Sequence, residues 1–261
     1  MRKTLITGLV AMTGVAMFLV NASFSKADLV DLQIFDTDPG SMPPGGGGGS
    51  APLIDMTGAA AVGSTGDLWN VQDLGATPSF TTGPLVTTTG AATNVTVSQS
   101  GGVGSYWEGV ALPNAEPNPG FFPYALLDSY AVSGGTITGS INGLNLNETY
   151  TLYMYGCNGN GGGGAGDFTI DGVSHSTSSA NARPAFSGAE YATFGPITPT
   201  AGPGGLGVID FSIAPVVQTF GTNTIFNGLQ IQGTFNVPEP ASAGLLAAGL
   251  FGLMVRRCRR A

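Results

Sequence analysis

Histidine and cysteine are scarce in this sequence. The chain has one histidine, His175, and two cysteines, Cys157 and Cys258. One histidine cannot supply a two-histidine metal site, and two distant cysteines without a CxxC pair cannot form a disulfide framework. A Ser-His-Asp triad would have to use His175, which lies among serines and has no accompanying Gly-x-Ser-x-Gly turn. The familiar catalytic and metal-binding arrangements are therefore missing.

Positive charge is confined almost entirely to the two ends of the chain. Six of the eight Lys and Arg residues lie within residues 1–3 and 256–260, leaving Lys26 and Arg183, whereas all 16 acidic residues lie between Asp28 and Glu239. An acidic body repels phosphate backbones and lacks the basic side chains that displace counterions from them. We therefore expect no nucleic-acid partner.

The body also lacks a convincing amphipathic helix. Glycine and proline, with 43 and 17 residues, make up about 23% of the chain, just under the roughly 25–30% that indicates disorder. The body instead contains about ten short β-branched or aromatic runs separated by Gly, Pro, Asn and Asp. This pattern predicts an all-β fold, a two-sheet β-sandwich or jelly roll formed by one domain over residues 28–236.

The first of these runs has a clean two-residue period. Residues 28–35 alternate apolar side chains with polar ones, among them Asp31 and Gln33. Such alternation is typical of a strand with one buried and one solvated face. We therefore expect Asp31 and Gln33 to lie on the solvated side.

Two later segments contain turn signals beside strand patterns. In residues 141–155, the pair Asn142-Gly143 predicts a turn, and the tyrosine-rich end of the segment predicts a central strand. Asp171-Gly172 lies between two alternating runs, which predicts a two-residue β-hairpin.

The N-terminus has the order of a secretory signal peptide. A basic start at residues 1–3 precedes an apolar run over residues 5–20, and Ser25 and Ala27 supply small residues before Asp28. This order predicts cleavage between Ala27 and Asp28, so that residues 1–27 are removed. A retained signal anchor is the alternative, because the apolar run is long for a signal peptide.

The last 25 residues have three parts in a characteristic order. A proline-flanked glutamate is followed by an uncharged run over residues 241–255 and then by arginines: Val237, Pro238, Glu239, Pro240, Arg256, Arg257, Arg259 and Arg260. This order resembles the PEP-CTERM sorting signal of Gram-negative-type bacteria. The resemblance implies that a membrane protease of the exosortase type cuts near Pro-Glu-Pro and releases the body or transfers it to the surface.

The sorting segment, residues 237–261, is also predicted to contain a transmembrane helix over about 241–257. Its 15 uncharged residues span about 22 Å as a helix, less than the ~30 Å hydrocarbon core, so the arginines must snorkel. The arginine cluster favours a cytoplasmic C-terminus and an external body. We therefore expect an inner-membrane intermediate, followed by a cell-surface or extracellular location. An ordinary tail anchor and a core helix are the alternatives.

The body resembles, through four short segments, the galactose-binding-like jelly-roll domains that are common in PEP-CTERM proteins. These segments are strand and turn features, at residues 68–70, 141–155, 168–172 and 226–231. The resemblance implies a jelly-roll fold, and a fold alone does not imply an activity.

The body offers one carboxylate pair to consider for catalysis. Asp167 and Asp171 could be imagined on either side of a glycosidic bond, since glycoside hydrolysis uses two carboxyl groups. Their spacing is already explained by the hairpin, in which Asp171 is a turn residue. We expect no catalytic role for this pair and a plain surface position for His175.

Side chains that could supply oxygen ligands to a metal ion are present, but they do not have the spacing of a known calcium-binding loop. Asp36, Asp38, Asn70 and Asp73 could supply oxygens to calcium, yet no D-x-D-x-D-G loop contains them. We expect no cofactor and leave a structural calcium open.

Three aromatic residues are the candidates for contact with a glycan. Trp69, Tyr106 and Trp107 have ring faces that can stack on a sugar, and Glu108 lies beside Trp107. Tryptophan in a β-sandwich is more often a core residue. Core packing is therefore the alternative interpretation of both tryptophans.

Together these features predict a protein that is not an enzyme. We expect an exported, exosortase-sorted surface or matrix protein, structural or adhesive, in association with exopolysaccharide. A carbohydrate-binding module is the alternative, and a glycan-active enzyme is a more distant one.

Overall fold

The computed structural model describes residues 28–35, 60–64, 66–74, 79–101, 104–107, 126, 129–157, 165–178, 188–218 and 221–235. Within these ranges the chain forms fifteen strands and a 3-10 turn at Pro203–Gly205. The strands are β1 Asp28–Phe35, β2 Asn70–Asp73, β3 Phe80–Thr81, β4 Thr96–Ser100, β5 Gly104–Trp107, β6 Ser129–Ser133, β7 Ile137–Leu144, β8 Tyr150–Tyr155, β9 Gly166–Ile170, β10 Val173–Ser176, β11 Tyr191–Ile197, β12 Thr200–Ala201, β13 Gly207–Gln218, β14 Gly221–Phe226 and β15 Gly228–Gly233.

The strands form two sheets around one core. The first has five strands in the order β11-β8-β15-β1-β2, and the second has ten, with β3-β4-β7-β13-β14-β6-β5 as its main path. Apolar side chains from both sheets meet in a single buried cluster, which includes Leu32, Leu152, Ile141 and Phe211. The predicted all-β sandwich is confirmed.

The first and last described strands are neighbours in the middle of the five-stranded sheet. β15 pairs antiparallel with β1, from Asp28 opposite Gly233 to Gln33 opposite Gly228, and it also pairs antiparallel with β8. The predicted central strand over Tyr150–Tyr155 is therefore confirmed as β8, with β11 on its other side.

The turn predicted at Asn142-Gly143 is wrong. Both residues lie inside β7, and the chain turns afterwards, at residues 146–148. Gly143 has φ of 84°, and a Cβ there would lie 2.0 Å from the carbonyl oxygen of Asn94. Glycine is therefore required by the close approach of a neighbouring backbone rather than by a hairpin.

The hairpin predicted at Asp171-Gly172 is confirmed. Both residues have positive φ, 50° and 76°, and join β9 to β10 in antiparallel register. These angles are those of a type I′ turn, whose twist matches that of the flanking strands.

The ends of the chain are not part of this description. The predicted signal peptide, its cleavage after Ala27 and the predicted helix over 241–257 fall outside the described residues. In the part of the chain that is described, no helix has the length and apolar character needed to cross a membrane.

Candidate functional site

The outer face of the ten-stranded sheet is an open surface of small polar side chains. On β7, Ile137 and Ile141 point into the core, so alternation places Thr138 and Ser140 on the outside. The same alternation applies on β4 and β13, where Val97 and Phe211 are core residues. The exposed sides of these three strands therefore form one continuous face.

Strand register aligns the polar side chains of this face into rows. Ser98, Ser140 and Asp210 occupy directly opposed positions on β4, β7 and β13. The neighbouring row runs through Ser100, Thr138 and Ser212 and continues onto β9 and β10 at Thr169 and Ser174. Neighbouring strands lie about 4.8 Å apart, so the hydroxyl groups form a regular lattice.

Pairs of these hydroxyl groups are hydrogen-bonded to each other. The Oγ atoms of Ser98 and Ser140 are 2.8 Å apart, and Ser100 Oγ lies 3.1 Å from Thr138 Oγ1. A hydroxyl group donates one hydrogen and accepts at two lone pairs, so each retains capacity for a further partner. These contacts fix the side chains without exhausting their hydrogen-bonding capacity.

An open groove of about 740 Å³ follows these rows. Its lining includes Thr81, Ser98, Ser100, Thr138 and Asp210. Among the described residues that line it, the groove has one carboxylate, several hydroxyl groups and no basic side chain. Its chemistry therefore suits an uncharged, hydroxyl-rich ligand better than an anion. We call this surface the hydroxyl groove.

The outer face of the five-stranded sheet is also polar, but part of it is covered. Asp31, Gln33 and Gln230 are all 0% exposed. The expectation that Asp31 and Gln33 lie on a solvated face is therefore wrong. The alternation of β1 is real, and its polar side is buried under residues from another part of the chain.

A hydrogen-bond network joins this covered face to residues 60–64. Gln230 Nε2 donates to Asp31 Oδ1 at 3.0 Å and to the Val62 carbonyl oxygen at 3.0 Å. The Tyr155 hydroxyl donates to Gln230 Oε1 and accepts from the Ala61 amide at 2.9 Å. The Val62 amide also donates to Gln230 Oε1, at 3.3 Å. Gln230 is therefore the centre of what we call the covered network.

Burial determines the protonation of this network. It raises the pKa of the Asp31 carboxyl from 3.8 to about 8, against the lowering effect of the Gln230 hydrogen bond, and the Asp67 charge raises it further. Burial likewise raises the pKa of Tyr155 well above its usual value. Asp31 Oδ2 has no hydrogen-bond partner among the described residues. A neutral carboxyl suits such a site, because an ion there would be poorly solvated.

Trp69 belongs to the cover of this network. It is 6% exposed and packs in a cluster with Leu126 and Tyr155, beside Ala60 and Ala61. So little exposed ring leaves no face for a sugar. Trp69 is therefore a core residue, which was the alternative interpretation, and not a glycan contact.

Tyr106 and Trp107 lie on β5, at the edge of the ten-stranded sheet. Their backbones pair with Tyr130 and Ser129 of β6. β5 is separated from β13, the groove strand nearest to it, by β14 and β6. Glycan contact through these two residues stays a prediction, independent of the groove.

The carboxylates and the histidine considered for catalysis, and the buried cysteine, each lie in a turn or contact a neighbouring residue. Asp171 is a turn residue, and Asp167 Oδ1 accepts a hydrogen bond from Ser176 Oγ at 3.1 Å. His175 is exposed on β10, and its ring lies edge-on to that of Phe194, with centroids 5.0 Å apart. Cys157 is 1% exposed, and its amide donates to the side chain of Asn227.

Among the residues considered as calcium ligands, Asn70 has a structural role instead. The Asn70 amide is engaged in bonds to backbone: Nδ2 donates to the carbonyl oxygens of Asp31 and Val86, and Oδ1 accepts from the Val86 amide. Asp36 and Asp38 lie outside the described residues. Across the described ranges, no group of three or more His, Cys, Asp or Glu side chains is placed to hold a metal ion.

Sequence reasoning missed both the covered network and the hydroxyl groove. The signal for the groove was present in residues 137–142, where every second residue is Thr, Ser or Asn. The covered network had no local signal, because Asp31, Tyr155 and Gln230 are far apart in the chain.

Comparison with protein families identifies one segment. Residues 236–260 match the PEP-CTERM protein-sorting motif, which contains the predicted sorting residues and arginines. No curated protein and no solved structure matches the chain. The motif implies processing by exosortase, a membrane enzyme, and export to the cell surface or extracellular space through a membrane-associated intermediate.

Proposed function

We propose that the exported body is a non-enzymatic component of the cell surface or extracellular matrix and holds neutral exopolysaccharide in the hydroxyl groove. The observation that supports this proposal is the lattice of exposed and half-buried hydroxyl groups across β4, β7 and β13. The sorting motif supplies the location at which such a polymer is met.

The chemistry of the groove favours a neutral glycan over other polymers. Sugar hydroxyl groups can replace surface water at Ser and Thr side chains with little loss of hydrogen bonding. The Asp210 carboxylate can accept hydrogen bonds from sugar hydroxyl groups, and the excess of acidic over basic residues in the body repels polyanions. Repeated weak contacts along a flat face suit a repeating polymer, since multivalency makes their sum strong.

A non-enzymatic role is supported by the surroundings of the candidate catalytic residues. Asp171 shapes a hairpin turn, Asp167 is bonded to Ser176, and neither lines the groove. Asp210 is the one carboxylate among the described lining residues of the groove, whereas glycoside hydrolysis ordinarily needs two.

Co-sedimentation of the exported protein with insoluble polysaccharides tests this function. We expect binding to a neutral glucan, weaker binding to a polyanionic polysaccharide, and about a tenfold loss of affinity in Thr138→Glu, because a bulky charge enters the groove. Thr193→Glu is the matched control, since Thr193 is an exposed strand threonine on the other sheet.

Two outcomes would contradict the proposal. Equal binding by Thr138→Glu and the parent would show that the groove is not the site. Release of reducing ends from the glucan by the parent protein would show that the body is an enzyme.

A further inference from the structure

The predicted signal peptide and the sorting motif connect to the body at the same end of the sandwich. β1 starts at Asp28, directly after the predicted cleavage position, and its first residue is paired with Gly233, the last residue of β15. A chain that enters at Asp28 and leaves after Gly233 therefore does so at adjacent points of one sheet.

The chain beyond β15 stays attached to the body up to Phe235. The Tyr150 hydroxyl donates to the Thr234 carbonyl oxygen at 2.8 Å and accepts from the Asn145 amide at 2.9 Å. Phe235 is 6% exposed, and its ring centroid lies 5.7 Å from that of Tyr150. One buried hydroxyl group thus ties the end of the body to the turn that follows β7.

The length of chain between this anchored end and the Pro-Glu-Pro sequence is short. The motif match starts at residue 236, and Pro238 is three residues beyond Phe235. Three residues span at most about 11 Å even when fully extended. That distance is no more than the width of one α-helix with its side chains, about 10–12 Å.

A membrane protease that binds Pro-Glu-Pro must therefore approach the body closely. We propose that the end of the sandwich formed by Asp28, residues 145–149 and Thr234 faces the membrane and contacts the protease that processes the motif. We call this surface the exit end. The folded body is then part of the substrate, and the exit end must fit against the enzyme for cleavage to occur. This inference is independent of glycan binding.

Asn147 is the residue best placed to test the exit end. It is exposed in the turn whose Asn145 shares the Tyr150 hydroxyl with Thr234. Asn223 is its matched control, because it is also an exposed asparagine and lies on β14, opposite Val216 near the far end of β13. The same change can therefore be made beside the exit and away from it.

The experiment follows processing of the full-length chain in cells that cleave the motif, by pulse-chase and the mass of the product. We expect Asn147→Arg to be processed about tenfold more slowly than the parent, since a large charged side chain disturbs a fitted contact. Asn223→Arg should be processed at the parent rate. An eight-residue Gly-Ser insert between Asn236 and Val237 adds up to about 28 Å of reach and should restore the rate of Asn147→Arg.

The folding of each precursor is checked by its resistance to limited proteolysis, which should match the parent. The inference is overturned if Asn147→Arg is processed as fast as the parent. It is also overturned if Asn147→Arg stays slow with the insert in place, because contact at the exit end would then not be the cause.

Discussion

The outer faces of the five-stranded and ten-stranded sheets both present polar side chains at alternate positions, yet a polar cluster is covered only on the first. Asp31 and Gln230 are completely buried, whereas Thr138 and Asp210 are exposed. The covered face uses carboxyl, amide and phenol groups that each need a specific partner. The open face uses hydroxyl groups that can exchange partners with water or sugar.

The same sandwich therefore has polar side chains that hold its structure together and polar side chains that stay available to a ligand. The covered network attaches residues 60–64 to the sheet, because three hydrogen bonds join the backbone of Ala61 and Val62 to the side chains of Gln230 and Tyr155. Such a network stabilises the fold only when all of its buried polar groups have hydrogen-bond partners. We expect the hydroxyl groove to contribute less to stability, because its hydroxyl groups can bond to water or a ligand as well as to each other.

The largest expected effect comes from removing the centre of the covered network. Gln230→Leu leaves Tyr155, Val62 and Asp31 without their shared partner, so we expect a loss of about 3 kcal/mol in the free energy of unfolding. Gln232→Leu, two residues along the same strand at an exposed position, should change stability by less than about 0.5 kcal/mol.

Denaturant unfolding of the two exported variants measures this contrast. If Gln232→Leu is as destabilising as Gln230→Leu, the covered network has no special role and the comparison between the two faces fails.

An effect that is smaller for each pH unit is expected from pH, through Asp31. The folded-state pKa is raised, from 3.8 to about 8, so between these values the folded protein binds a proton that the unfolded chain has lost. The contribution of Asp31 to stability is therefore complete below about pH 4 and is lost as pH rises towards 8, at roughly 1 kcal/mol per pH unit.

Asp31→Asn should remove this dependence, because its amide does not titrate in that range. Unfolding free energies of the parent and of Asp31→Asn, compared from pH 5 to pH 8, check the expected divergence. A constant difference between the two proteins across this range would mean that Asp31 is ionised in the folded state.

The fold was largely predictable because alternation and turn residues act locally. The period of residues 28–35 and the Asp171-Gly172 pair each predicted the element that forms there. The Asn142-Gly143 pair did not, since Gly143 is required by contact with Asn94, and that contact depends on tertiary packing.

The candidate sites were less predictable for a related reason. Alternation tells which residues share a face but not whether that face is exposed, and the cover over Asp31 comes from residues 60–64 and Trp69. The sorting motif, in contrast, is a contiguous segment and can be identified without any knowledge of the fold.

Thiol labelling of single cysteine variants tests the contrast between the two faces most directly. Cys157 is 1% exposed, so the parent, after removal of the tail that contains Cys258, should give a low background. We predict that Thr138→Cys reacts with a maleimide at nearly the rate of a free thiol and is protected by a neutral glucan, and that Gln33→Cys reacts orders of magnitude more slowly with or without the glucan. Equal labelling rates at the two positions, or an unprotected Thr138→Cys in saturating glucan, would contradict the account.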